Sequence, residues 1–78
     1  MTISAISEDE ARAAAGAFIR RRLEASGLVQ VEFARSLGLC QSDLSQMMDG
    51  HRRFSIRKIN ATLEQLGARI AYRFEQTI

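Results

Sequence analysis

The residues of this sequence that could do chemistry are uncharged hydrogen-bonding side chains in one short run and cations in another. Gln41, Ser42, Ser45 and Gln46 fall within the segment Gln41–Asp49. At a helical period they share one side, away from Leu44 and Met47. Amides and hydroxyls both donate and accept. Glutamine can contact adenine in bidentate fashion, and serine can bond several base edges. An ordinary solvated helix face more often carries Lys and Glu. Arg52-Arg53 follow directly, then Arg57-Lys58, and Arg20-Arg21-Arg22 stand earlier. Such cations neutralise phosphates, although Arg20–Arg22 read equally well as a solvated helix face. Formal net charge is only +2, but Glu8, Asp9 and Glu10 gather three negatives near the start, and residues 11–78 carry 11 cations against 6 carboxylates. Asp43 and Asp49 are the awkward residues, since either repels phosphate if pointed at it. Asp43 fits the first turn of a helix, where a negative charge suits the dipole, better than it fits a cytosine amine.

Bond-making chemistry has little to work with. There is no Ser/His/Asp arrangement, no glycine-rich phosphate loop and no cluster of metal ligands. With Cys40 the only cysteine and His51 the only histidine, an internal disulfide is excluded and a zinc site of the usual ligand set is not expected. The expectation is a chain that is not an enzyme and needs no cofactor or metal. No segment approaches the ~20 apolar residues of a membrane span, and no signal sequence opens the chain. A lone thiol suits a reducing compartment, so a cytoplasmic protein without a membrane partner is expected. At 78 residues the chain is a single domain, residues 1–78, able to bury only about 60% of its unfolded surface. Self-association is the natural source of further stability.

Four elements must position the site. Ser7-Glu8-Asp9-Glu10 matches a capping box, which starts a first helix at about Glu8 that runs to Ser26 and stops at Gly27. Its apolar stripe is Ala11, Ala15, Phe18, Ile19 and Leu23. Gly16 lies inside it, at a cost of up to ~1 kcal/mol relative to Ala, which a close helix crossing would explain. A second helix covers about Val29–Leu37 and buries Phe33, Ala34 and Leu37. The third covers about Gln41–Asp49 and buries Leu44, Met47 and Met48. A fourth, capped by Ser55, carries Ile56, Ile59, Leu63 and Leu66 and ends at Gly67. Apolar residues then alternate, with Ile70, Tyr72 and Phe74 on one face, which predicts a β-strand over about 68–75. A frayed tail or a continued fourth helix is the alternative. With no second strand-like segment recognised in the chain, the expected partner is the same strand of a second copy, across a two-fold axis. The fold class expected is therefore mainly α: a four-helix, repressor-like helix-turn-helix domain, with the helix-turn-helix at about 28–49 and one C-terminal strand pairing across a homodimer.

The run Gln30-Val31-Glu32-Phe33-Ala34-Arg35-Ser36-Leu37-Gly38-Leu39-Cys40-Gln41-Ser42-Asp43-Leu44-Ser45-Gln46-Met47-Met48-Asp49-Gly50 resembles the helix-turn-helix of the phage repressor/Cro-like (XRE) family. The resemblance spans about Gly27 to Leu66. It implies a double-stranded DNA partner, base reading by Gln41, Ser42, Ser45 and Gln46, a phosphate contact from Gln30, and a phosphate grip by Arg52 and Arg53 with His51. Cys40 departs from the family pattern, which commonly has a Ser or Thr there to cap the third helix. A thiol is a weak acceptor, so the cap is poorer. A redox switch at Cys40 is the lesser reading beside a small boundary residue. Leu66-Gly67-Ala68-Arg69-Ile70 and the strand after it are similar to short regulators and antitoxins of this family, the HigA type among them, that dimerise through C-terminal strands. The function expected is a sequence-specific transcriptional regulator, a repressor, binding an inverted-repeat operator as a dimer. The alternative is an antitoxin that neutralises a toxin protein and represses its own operon. Use of the same helices for protein contacts alone is disfavoured by the glutamine-serine face.

Overall fold

The computed structural model describes residues 1–72. In chain order these form β1 (Thr2–Ala5), α1 (Glu8–Ser26), α2 (Gln30–Ser36), α3 (Gln41–Met48), α4 (Ile56–Gln65) and β2 (Arg69–Tyr72). The architecture is mainly helical with a short C-terminal strand, as the apolar periods predict. Helix α1 begins where the Glu10 N–H donates to Ser7 Oγ at 3.1 Å. Helix α4 begins in the same way, with the Lys58 N–H donating to Ser55 Oγ at 3.1 Å. Both bonds satisfy an amide that the first helical turn leaves without a backbone partner.

Helices α2, α3 and α4 end alike. Leu39 N–H reaches back to Ala34 O at 2.9 Å and Gly38 N–H to Arg35 O at 3.1 Å; the pairs His51–Gln46 and Gly50–Met47, then Ala68–Leu63 and Gly67–Glu64, repeat the pattern. This is the Schellman arrangement, which needs one residue in the left-handed region. Gly38, at φ 72°, supplies it in the turn between α2 and α3. The next residue, Leu39, is buried and plugs that turn into the core.

The core is continuous. Ala15, Phe18 and Ile19 of α1 meet Phe33 and Ala34 of α2, Leu44, Met47 and Met48 of α3, and Ile59 and Leu63 of α4, with Leu37, Leu39 and Phe54 filling in from the connections. Ala34 is fully buried, as a small residue at a close helix contact must be. Gly16 faces the last turn of α3. A Cβ built there would lie 2.8 Å from Met47 O and closer still to Met48 O. The close crossing expected at Gly16 is therefore made against backbone.

The C-terminal strand corrects one expectation. Its partner lies in the same chain: β1 pairs with β2 in parallel, Thr2 opposite Arg69 through Ala5 opposite Tyr72. The premise that the chain holds no second strand is overturned by Thr2–Ala5, which buries Ile3 and Ala5 on alternate positions. The face expected to serve dimerisation is divided. Ile70 is half-buried against the chain's own core, Tyr72 is 40% exposed, and Phe74 lies outside the described residues. On the side of β2 away from β1, the Ile70 N–H donates to Asn60 Oδ1 at 2.9 Å. A side chain thus occupies a strand-edge donor that a second copy was expected to take. Among the described residues, no helix is long and apolar enough to cross a membrane.

Candidate nucleic-acid interface

Helix α3 is held from beneath and open above. Leu44 and Met47 are essentially fully buried and Met48 nearly so. Gln41 and Ser42 are exposed, and Ser45 and Gln46 are half-buried on the outer side. The structure therefore brings the four expected base-reading residues to one face, with their amides and hydroxyls outward. Gln30 opens α2 and is half-buried. The turn between α2 and α3 is tied to α4 by Gln65, whose Nε2 donates to Leu37 O at 3.2 Å. That bond satisfies a carbonyl at the α2 terminus.

The N-terminus of α3 is the weak point. Cys40 sits at the cap position with extended backbone, and its side chain makes no capping bond; its sulfur lies 3.4 Å from Ser42 Oγ instead. The poorer cap expected from a thiol is what the structure contains. Cys40→Ser supplies the missing acceptor for an α3 amide and should raise stability by about 1 kcal/mol. A thermal melt checks this; an unchanged or lowered midpoint would mean that the backbone there cannot use a hydroxyl.

Three carboxylates are matched by arginines. Arg53 Nη2 lies 3.4 Å from Asp43 Oδ1, Arg20 Nη2 is 3.2 Å from Asp49 Oδ1, and Arg52 Nη2 is 2.7 Å from Asp9 Oδ2. Asp43 does sit in the first turn of α3, but its partner is a cation from the following turn as well as the helix dipole. The pairing removes the repulsion that two aspartates would otherwise present to a polyanion. Arg20 belongs to this pattern as an exposed pair, its side chain 51% and that of Asp49 65% exposed.

The expected phosphate-gripping residues come together in the turn 51–54. His51 uses Nδ1 to accept the Arg53 backbone N–H at 3.1 Å, which leaves Nε2 to act as a donor. Arg52 is 79% exposed at its side chain. Arg53 leans back over α3, where its Nη1 donates to Gln46 Oε1 at 2.7 Å. The turn itself is anchored by a residue that sequence reasoning missed. Arg12 is buried on α1, and its Nε donates to Phe54 O at 3.1 Å. A signal was present: Arg12 falls on the apolar side of α1 beside Ala11 and Ala15, and four residues after Glu8, with which it pairs at 3.6 Å.

Asp9 holds Arg52 in the free protein, so Asp9→Asn should release a cation. Both partners are largely exposed, and such pairs contribute little to stability. The expected outcome is a near-unchanged melt, with affinity for any duplex increased and the salt slope of log K unchanged, since Arg52 meets phosphate in both proteins. Affinity equal to that of the starting protein would show that Asp9 does not compete with phosphate for Arg52.

Two short helices joined at a glycine, the second buried along one side and polar along the other, with cations in the turn after it, define a helix-turn-helix DNA-binding domain. A family model described as a helix-turn-helix domain matches residues 3–75, and the chain belongs to that family. No curated protein and no solved structure matches the chain.

Proposed function

We propose that this protein is a sequence-specific transcriptional regulator, a repressor of the XRE/Cro-like kind, in which α3 enters the major groove. The observation that carries the reading is the outward glutamine-serine face of α3 over buried Leu44 and Met47, with the neighbouring carboxylates Asp43 and Asp49 each paired to an arginine. Gln41, Ser42, Ser45 and Gln46 read base edges. Gln30, His51, Arg52 and Arg53 contact phosphate and supply the sequence-blind, salt-sensitive part of affinity. A DNA-binding role of this kind places the protein in the cytoplasm.

The protein acts as a symmetric dimer, with two copies of α3 in successive major grooves about 34 Å apart on an inverted repeat. The second copy joins on a surface other than the β1–β2 pairing, or displaces Asn60 from the edge of β2. Truncating the strand is no test of dimerisation, because it also strips β1 of its partner. Sedimentation of the intact chain with a short operator duplex is the direct measurement. Two chains per duplex are expected, and one per duplex would overturn the dimer.

A gel shift on the DNA upstream of the protein's own gene tests the function. Gln41→Ala should lose roughly tenfold in affinity for the operator and relax preference at one base step per half-site. Equal binding of both proteins to all sequences would remove α3 as the reader. An antitoxin role keeps the same DNA face, and it is distinguished by adding the product of the adjacent gene to the same reaction.

A further inference from the structure

Arg53 is not a free cation. Its Nη1 is 2.7 Å from Gln46 Oε1 and its Nη2 is 3.4 Å from Asp43 Oδ1. Its Cζ lies 5.1 Å from the centroid of the Phe54 ring, and that ring is buried. The guanidinium is thus laid on a fixed aromatic platform and drawn to α3 by two side chains of that helix. Half of the side chain remains exposed, against 29% for Asp43, so the ion pair sits at the edge of the protein rather than in open solvent.

A consequence follows for Gln46. A guanidinium has donors and no acceptor, so only the carbonyl end of the glutamine amide can face it. Oε1 is turned toward Arg53, and Nε2, with both hydrogens, is turned away. The bidentate contact of glutamine with adenine needs the amide to accept from N6 while it donates to N7. An amide oxygen has two lone pairs, so the Arg53 bond takes one of them and sets a cation beside the other, where an adenine N6 amino group would have to donate. Guanine presents N7 and O6, both acceptors, and matches the two donors of Gln46 Nε2. The unused N–H groups of Arg53 beside it are donors too.

We propose that Arg53 is a specificity-determining residue: by engaging the Gln46 carbonyl it biases Gln46 toward donating and favours guanine over adenine at the base step Gln46 faces. The inference rests on the proposed entry of α3 into the major groove. It moves Arg53 from the phosphate-gripping group to the base-reading group, with Asp43 as the counter-charge that keeps it off the backbone.

Selection of bound sites from a randomised duplex library tests it, using the starting protein, Gln46→Ala, Arg53→Met and Arg53→Lys, each confirmed folded by thermal melt. Methionine keeps an apolar stem over Phe54 and removes every donor. Lysine keeps the charge but not the fork. The starting protein should enrich a guanine whose preference disappears in Gln46→Ala. In Arg53→Met the same position should turn toward adenine, with the guanine-to-adenine ratio falling about tenfold, the scale of one bidentate base contact. In Arg53→Lys the ratio should fall in the same direction while the salt slope is retained. If Arg53→Met weakens all sequences equally and leaves base preference intact, Arg53 is a phosphate contact and the inference fails alone. If the starting protein binds duplex yet enriches no sequence, the major-groove reading of α3 fails with it.

Discussion

Alanine at position 16 lowers the stability of this domain by about 2 kcal/mol, although alanine is the best helix former and glycine nearly the worst. Propensity alone favours Gly16→Ala by up to ~1 kcal/mol inside a helix. Against that stands the position of the new Cβ, 2.8 Å from Met47 O and nearer to Met48 O. These are backbone atoms of the last turn of α3, so no rotamer change can clear them, and the two helices must separate. Overpacking of this kind typically costs 1–3 kcal/mol, occasionally more. In a domain of this size the net loss lowers the melting midpoint by roughly 10 °C. The displaced element is the helix that carries Gln41, Ser42, Ser45 and Gln46, so operator affinity should fall further than the unfolded fraction explains. Ala17→Gly, on the exposed side of the same helix, calibrates the propensity term and should cost about 1 kcal/mol. If Gly16→Ala instead raises the midpoint by what propensity gives, α1 and α3 are not in backbone contact.

The helices were legible in the sequence because their ends are local. Ser7, Ser55 and the glycines at 27, 38, 50 and 67 state where each begins or stops, and the apolar period states which side goes in. The bounds expected for α1 match the structure, and those of α2 and α3 shift by a residue at most. Strand β1 was not legible for an equally physical reason. Thr2–Ala5 is four residues long with only Ile3 and Ala5 turned inward, too short for a period to stand out, and its second half, Ser4-Ala5, is not strand-forming by type. What makes it a strand is β2, almost the whole chain away in sequence. The candidate interface divides along the same line. That Gln41 and Ser42 point outward follows from the period that puts Leu44, Met47 and Met48 on the buried side of the helix. That Arg53 reaches Gln46 and Asp43, Arg52 reaches Asp9, and Arg20 reaches Asp49 depends on how the turn 51–54 folds back and where α1 crosses α3. No local spacing encodes that.

Arg12→Met should cost about 2 kcal/mol and also weaken DNA binding, although Arg12 is remote from the reading face. The Arg12 side chain is 11% exposed, while its carboxylate partners Glu8 and Asp9 are 69% and 61% exposed. Because those carboxylates return to water when the cation is removed, the ion pairs themselves contribute little. The penalty of leaving an uncompensated buried charge does not arise here. The deciding term is the bond from Arg12 Nε to Phe54 O at 3.1 Å in a buried setting. Methionine retains the apolar stem but leaves that carbonyl without a donor, at about 1–3 kcal/mol. Phe54 follows Arg52 and Arg53 directly and carries the ring under Arg53, so a loosened Phe54 carbonyl loosens both arginines. Measured well below the melting midpoint, where both proteins are folded, affinity for operator and for unrelated duplex should fall together by several-fold. A melt within about 0.5 kcal/mol of the starting protein would show that the Phe54 carbonyl finds water instead. Unchanged affinity beside a lowered melt would confine Arg12 to the core and free the turn from its control.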